Sequence, residues 1–128
     1  MVEISIDHYP KAELLNAFWR RAWGGPAPDN YDFVLKRSLG HVVATEGPVL
    51  VGFVNVAWDG GIHAFILDTA VDPDFRRQGL ATELVARATA LARERGAEWL
   101  HVDFEPHLEG FYRSCGFRPT AAGLIRLR

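Results

Sequence analysis

Residues 66 to 96 read ILDTAVDPDFRRQGLATELVARATALARERG, and the order of elements in this stretch decides the fold. Ile66, Leu67, Ala70 and Val71 form a short apolar run suited to a buried strand, which Asp72-Pro73-Asp74 breaks. From Leu80 the apolar positions fall at Leu84, Val85, Ala88, Leu91 and Ala92, the spacing of one helical face, and Gly96 is a stop signal. A helix therefore begins within RRQGLA, residues 76 to 81.

That junction has chemical content. The first amides of a helix have no intrahelical acceptor, and the aligned peptide dipoles place partial positive charge beside them. Gly79 and Ala81 leave the backbone open to close approach, while Arg76 and Arg77 add full positive charge. The ligand expected there is a phosphate or pyrophosphate. In the plainer reading Gly79 only turns the loop and the arginines are a solvated face, because one glycine-containing turn is a weak signal by itself.

The segment resembles motif A of the GNAT N-acetyltransferase superfamily, whose loop pattern Arg/Gln-x-x-Gly-x-Gly/Ala is met by Arg76, Gly79 and Ala81. It follows the strand end Ala70-Val71 and the phrase VDPDFR, a usual lead-in in that family. A second block, WLHVDFEPHLEGFYRSCGF at residues 99 to 117, is similar to the strand and FY-x-x-x-GF helix that follow motif A. The likeness runs from about Pro48 onward. It implies acetyl-coenzyme A as co-substrate, its pyrophosphate held by Arg76, Arg77, Gln78 and Gly79 with Leu80, Ala81 and Thr82. It also implies that the cofactor's pantetheine arm runs along the backbone of Thr69, Ala70 and Val71, where two parallel strands splay apart.

A chain of 128 residues with 48% hydrophobic residues is expected to be one soluble domain, residues 1 to 128, with a real core. A net charge of −2 argues against nucleic-acid partners, since no strong basic field is present to displace phosphate counterions. The single Cys115 forbids an intrachain disulfide, and the N-terminus MVEISIDHYPK lacks the apolar core of a signal peptide. No apolar run approaches membrane-spanning length, so the expectation is a cytoplasmic protein without a membrane partner.

Outward from the central stretch, Val2, Ile4 and Ile6 alternate with polar residues as in a half-buried strand. Pro10 opens a helix bearing Leu14, Leu15, Phe18 and Trp19, and GGPAPDN at 24 to 30 is a loop. In the resembling family this region forms one wall of the acceptor pocket, which makes Trp19, Trp23 and Tyr31 substrate-contact candidates, although aromatic residues on such a helix are more often core. A short helix over 31 to 39 stops at Gly40, and strands follow over 41 to 45, 49 to 58 and 63 to 71. Beyond the long helix come a strand at 99 to 104, a helix from Pro106 to Gly116, and one or two strands within 117 to 128. A crossover helix returns its strand to the same sheet in parallel. The expected fold is α/β, a GNAT-like mixed and mostly antiparallel sheet with one splayed parallel pair and helices on both faces.

Acetyl transfer to an amine needs an uncharged nitrogen, an oriented thioester and a proton for the departing thiolate. Tyr112 is the expected donor: the family commonly places a tyrosine there, and a phenol's ordinary pKa near 10 is close to that of a thiol. Its competing reading is a core tyrosine bonded to a backbone carbonyl. The base is left open. Some family members carry a glutamate where this chain has Phe65, while Asp68 stands where related sequences often carry an acid that contacts the acceptor. His101 and Asp103 alternate on the next strand about 7 Å apart, so that a carboxylate could orient an imidazole. His63, Glu105 and His107 enlarge this cluster, and Glu105 replaces a usual asparagine. These residues do not converge as metal ligands, so no metal is expected. Cys115 has no base beside it in sequence, which favours direct transfer in a ternary complex over an acetyl-enzyme.

The function expected is an acetyl-coenzyme A-dependent N-acetyltransferase acting on a primary amine of a small molecule or protein, with a cationic acceptor suggested by Asp68, Asp103 and Glu105. The alternative is a non-catalytic coenzyme A binding or sensing module that works through a protein partner. An acetyltransferase acting on charged transfer RNA lacks the basic face it would need. Terminal strands of such domains often pair between subunits, so a homodimer is a further expectation.

Overall fold

The computed structural model describes all 128 residues. The alternating segments resolve into four strands, β1 (Val2–Ile6), β2 (Gly40–Glu46), β3 (Val49–Trp58) and β4 (His63–Val71), which lie antiparallel in chain order. A fifth, β5 (Trp99–His101), pairs with β4 in parallel. Four helices flank the sheet: α1 (Ala12–Trp23), α2 (Tyr31–Arg37), α3 (Leu80–Glu94) and α4 (Glu109–Ser114). The mixed sheet expected from the sequence is the one observed.

Strand periodicity divides the core in two. Val42, Ala44, Val54 and Val56 face α3, where they meet Leu84, Val85, Ala88 and Leu91. Val43, Leu50 and Phe53 face the other way and are covered by Leu15, Phe18 and Trp19 of α1 and Leu35 of α2. β3 is covered on both sides, which is why its sequence is almost continuously apolar. Gly52 lets α3 approach closely: a Cβ there would stand 2.8 Å from Leu84 Cδ1 and 3.2 Å from Ala44 Cβ.

Two departures from regularity shape the middle of the sheet. Phe53 pairs with Ala70 and Asn55 with Leu67, so Val54 alone on β3 faces both Asp68 and Thr69 on β4. This is a β-bulge, and Asp68 takes the left-handed conformation with φ of 56°. The second departure is that β4 and β5 pair only from His63–Trp99 to Phe65–His101. Beyond Phe65, β4 runs on to Val71 without a β5 partner, and the parallel pair parts.

The structure corrects the sequence reading at two places. The strand expected over 99 to 104 ends at His101, because divergence from β4 removes its hydrogen-bonding partner. The strands expected within 117 to 128 are absent, and Leu124, Ile125 and Leu127 are exposed. An alternating tail forms a strand only against another strand, and Pro119 removes one of the donors it would need. No helix is long and apolar enough to cross a membrane.

Candidate active site

β4 ends at Val71, and the chain turns through a short 3-10 segment, Pro73–Phe75, before α3. Asp72 builds this turn. Its Oδ1 accepts from the Asp74 amide at 2.9 Å, and its Oδ2 accepts from Arg21 Nε of α1. Arg21 also donates to the Leu50 carbonyl at 2.9 Å, so one guanidinium ties α1, β3 and the turn together. Burial by itself would raise the Asp72 carboxyl, but the Asp74 amide and the Arg21 guanidinium outweigh it and hold the group below its ordinary value.

The loop that follows is shaped to leave its amides free. Arg76 Nε donates back to the Val71 carbonyl at 3.1 Å, anchoring the loop to the strand end. Arg77 and Gly79 both take left-handed backbone, with φ of 64° and 79°, and a Cβ on Gly79 would meet nothing within 4 Å. The first amide to enter the α3 ladder is that of Glu83, which donates to the Gly79 carbonyl. The peptide N–H groups from Arg77 to Thr82 donate no hydrogen bond within the chain. A run of free donors at the positive end of a 15-residue helix, flanked by two arginines, suits an anion.

These amides open onto a cleft of about 440 Å³. Thr69, Ala70 and Val71 form one side, Arg76, Arg77 and Gly79 to Thr82 another, and Phe111 and Tyr112 of α4 a third. Trp23 of α1 stands half-exposed at the cleft, whereas Trp19 is buried in the core. Of the ten residues expected on the cofactor side, Gln78 alone does not line the cleft, and its amide reaches back to the Asp74 carbonyl at 3.5 Å.

Tyr112 is buried among aromatic rings, stacked on Phe104 at 5.0 Å and meeting Phe111 and Phe117 edge-on. Burial pushes its phenol above the ordinary value of 10, and Cys115 and Asp103 push the same way. The Thr69 side chain opposes that rise from nearby, although Thr69 Oγ1 makes no well-formed hydrogen bond and is buried without a partner. Tyr112 thus keeps its proton at neutral pH.

Tyr31, at the start of α2, approaches the bulge as well and donates its hydroxyl proton to Asp68 Oδ2 at 2.6 Å. Asp68 was expected inside an apolar strand, but the bulge turns its carboxylate outward and leaves it exposed. Asn55 is the polar residue that sequence reasoning passed over. It lies 1% exposed opposite Leu67, and its Oδ1 has no partner. The available signal was one amide within the apolar run VLVGFVNVAW.

His101 and Asp103 do not form the pair expected of them. His101 Nε2 meets His63 Nδ1 at 2.8 Å, and its ring stacks on Phe65 at 4.7 Å. Since β5 ends at His101, strand alternation does not carry on to Asp103. Both line a separate hollow of about 790 Å³ between β5 and the C-terminal segment, away from the loop. Glu105 and His107 are exposed and line neither space. No group of three or more histidine, cysteine or acidic residues is placed to hold a metal ion.

Comparison with known proteins bears on this geometry. The model of the acetyltransferase (GNAT) family matches residues 8–117. The chain is 34% identical over 74 residues to GCN5-related N-acetyltransferase 1, chloroplastic, of Arabidopsis thaliana, which covers 58% of this chain and 38% of that protein. The chain thus matches about two fifths of the length of such relatives. An acetyltransferase of the GNAT family from Streptococcus pneumoniae superposes with a TM-score of 0.79 at 26% identity, covering 100% of this chain and 98% of that one. An acetyltransferase of Trypanosoma brucei superposes at 0.85 with 20% identity, covering 100% and 99%. A family match that begins ahead of α1 and ends just past α4 takes in the loop, the cleft, Tyr31 and Tyr112, and the chain belongs to the GNAT family of acetyltransferases.

Proposed function

We propose that this protein transfers an acetyl group from acetyl-coenzyme A to a primary amine by direct attack within a ternary complex. Acetyl-coenzyme A, the acyl donor of the family, supplies a thioester when bound. The observation that carries the reading is the run of free amides from Arg77 to Thr82, at the edge of a cleft that Tyr112 also lines.

Each part of the cleft has a role in this reading. The amides of 77 to 82, with Arg76 and Arg77, bind the diphosphate, and Thr69, Ala70 and Val71 offer backbone groups where β4 has no β5 partner. Tyr112 holds a proton at its hydroxyl for the departing thiolate. Asp68, exposed at the bulge, attracts an acceptor that carries positive charge. The partly buried aromatic rings around Tyr112 keep water from the thioester. His101 and Asp103 line the other hollow, and Asp103 acts on this site through its charge on Tyr112.

The test is a melting experiment with acetyl-coenzyme A followed by an assay of free thiol against a panel of primary amines. At a concentration about 100 times its Kd, the ligand should stabilise the fold by about 2.7 kcal/mol. Amine-dependent thiol release supports the transferase. Stabilisation with no release across the panel supports a binding or sensing module instead, and no stabilisation overturns both.

A further inference from the structure

Two buried side-chain atoms in the whole chain lack a hydrogen-bond partner, Asn55 Oδ1 and Thr69 Oγ1, and both lie at the β4 bulge. A buried polar atom without a partner is a cost that the rest of the fold must outweigh, and so is left-handed backbone at Asp68. Neither serves the core, because an aliphatic residue at 55 and a glycine at 68 would remove both costs.

The contacts around Tyr31 give them a purpose. Tyr31 is 5% exposed, wedged edge-on against Trp19 at 5.2 Å and Phe53 at 5.9 Å. Burial, with the Asp68 carboxylate beside it, drives the phenol far above its ordinary value, so it is a proton donor at any physiological pH. The Asn55 side chain works against that rise. Asp68 Oδ2 is engaged by Tyr31, while Oδ1 has no donor and the carboxylate makes no ion pair with any lysine or arginine.

We propose that Tyr31 is a positioning residue that locks the Asp68 carboxylate through Oδ2 and reserves Oδ1 for the ammonium group of the acceptor. This rests on the transferase reading above. A free aspartate on a strand rotates about its side-chain bonds. One tethered to a rigid phenol presents its remaining oxygen in one direction, from the residue that precedes the cleft-lining Thr69 in the chain. The acceptor class is a primary amine that arrives protonated, and a hydroxyl compound of the same shape is refused because it brings no charge to pair with Asp68.

The experiment uses protein loaded with coenzyme A, which permits binding without transfer, titrated with n-butylamine or butan-1-ol at neutral pH and followed by amide chemical shifts. The unaltered protein should bind the ammonium at least about tenfold more tightly than the alcohol. Tyr31→Phe should weaken ammonium binding by about tenfold, the size of one hydrogen bond to a charged group, and Asp68→Asn should abolish the preference. Unchanged ammonium binding in Tyr31→Phe, or no preference for the ammonium in the unaltered protein, overturns the inference. Calorimetry with acetyl-coenzyme A separates the two levels. If it binds and the ammonium preference is missing, this inference alone fails; if it does not bind, the transferase reading fails with it.

Discussion

A phenol shielded from water keeps its proton, and that governs what Tyr112 contributes. Its raised pKa puts the protonated form in excess throughout the neutral range, so activity should be lost to tyrosine ionisation only above the ordinary value of 10. Tyr112→Phe should lower kcat by about 100-fold, the usual scale of general acid catalysis, with the KM for acetyl-coenzyme A little changed. A kcat within twofold of the unaltered protein would remove the role. His41 makes a separate statement about stability. It is 1% exposed, and burial, aided by Arg95, lowers its pKa below 6.5 against the opposing pull of the His8 carbonyl and Asp7. The unfolded chain therefore binds a proton more readily than the folded one. Stability from this residue is complete above pH 6.5 and declines as the pH falls from there toward the lowered folded value. Melting temperatures from pH 7.5 to 5 should show that decline, and His41→Gln should reduce it.

At the scale of elements, the contact between α3 and the sheet is set by a missing side chain. Gly52→Ala would place a Cβ 2.8 Å from Leu84 Cδ1, and Leu84 is wholly buried with no room to move aside. The substitution should cost about 1–3 kcal/mol in denaturant unfolding, and a neutral result would mean that α3 slides freely on the sheet. Elements of this kind were legible in the sequence because their signals are local. The spacing of Leu84, Val85, Ala88 and Leu91 announced α3, and the alternation of Val2, Ile4 and Ile6 announced β1. The loop with Arg76 and Gly79 was legible as a turn, because Gly79 stands immediately before the apolar helical face that begins at Leu80. The bulge was not. Nothing about Asp68 in ILDTAV signals left-handed backbone, which arises from how β4 is aligned on β3, and alignment between strands is not written in either strand alone. The same holds for β5, whose length depends on where it leaves β4, and for the pairing of His101 with His63 instead of Asp103.

Across the whole molecule, the C-terminal segment and the site stand in contrast. Leu124, Ile125 and Leu127 are 84%, 83% and 88% exposed and belong to neither half of the core, so ending the chain after Ala122 should shift the unfolding free energy by less than about 0.5 kcal/mol. A larger loss would show that those residues pack on something, a second copy being the simplest test by sedimentation. The parting of β4 from β5 has a further consequence that deuterium can read. Amides of β4 beyond Phe65 that point toward the gap have no strand to shelter them, whereas those aimed at β3 do. In deuterated water the first set should exchange early and the second late, and acetyl-coenzyme A, bound as proposed, should slow the first set alone.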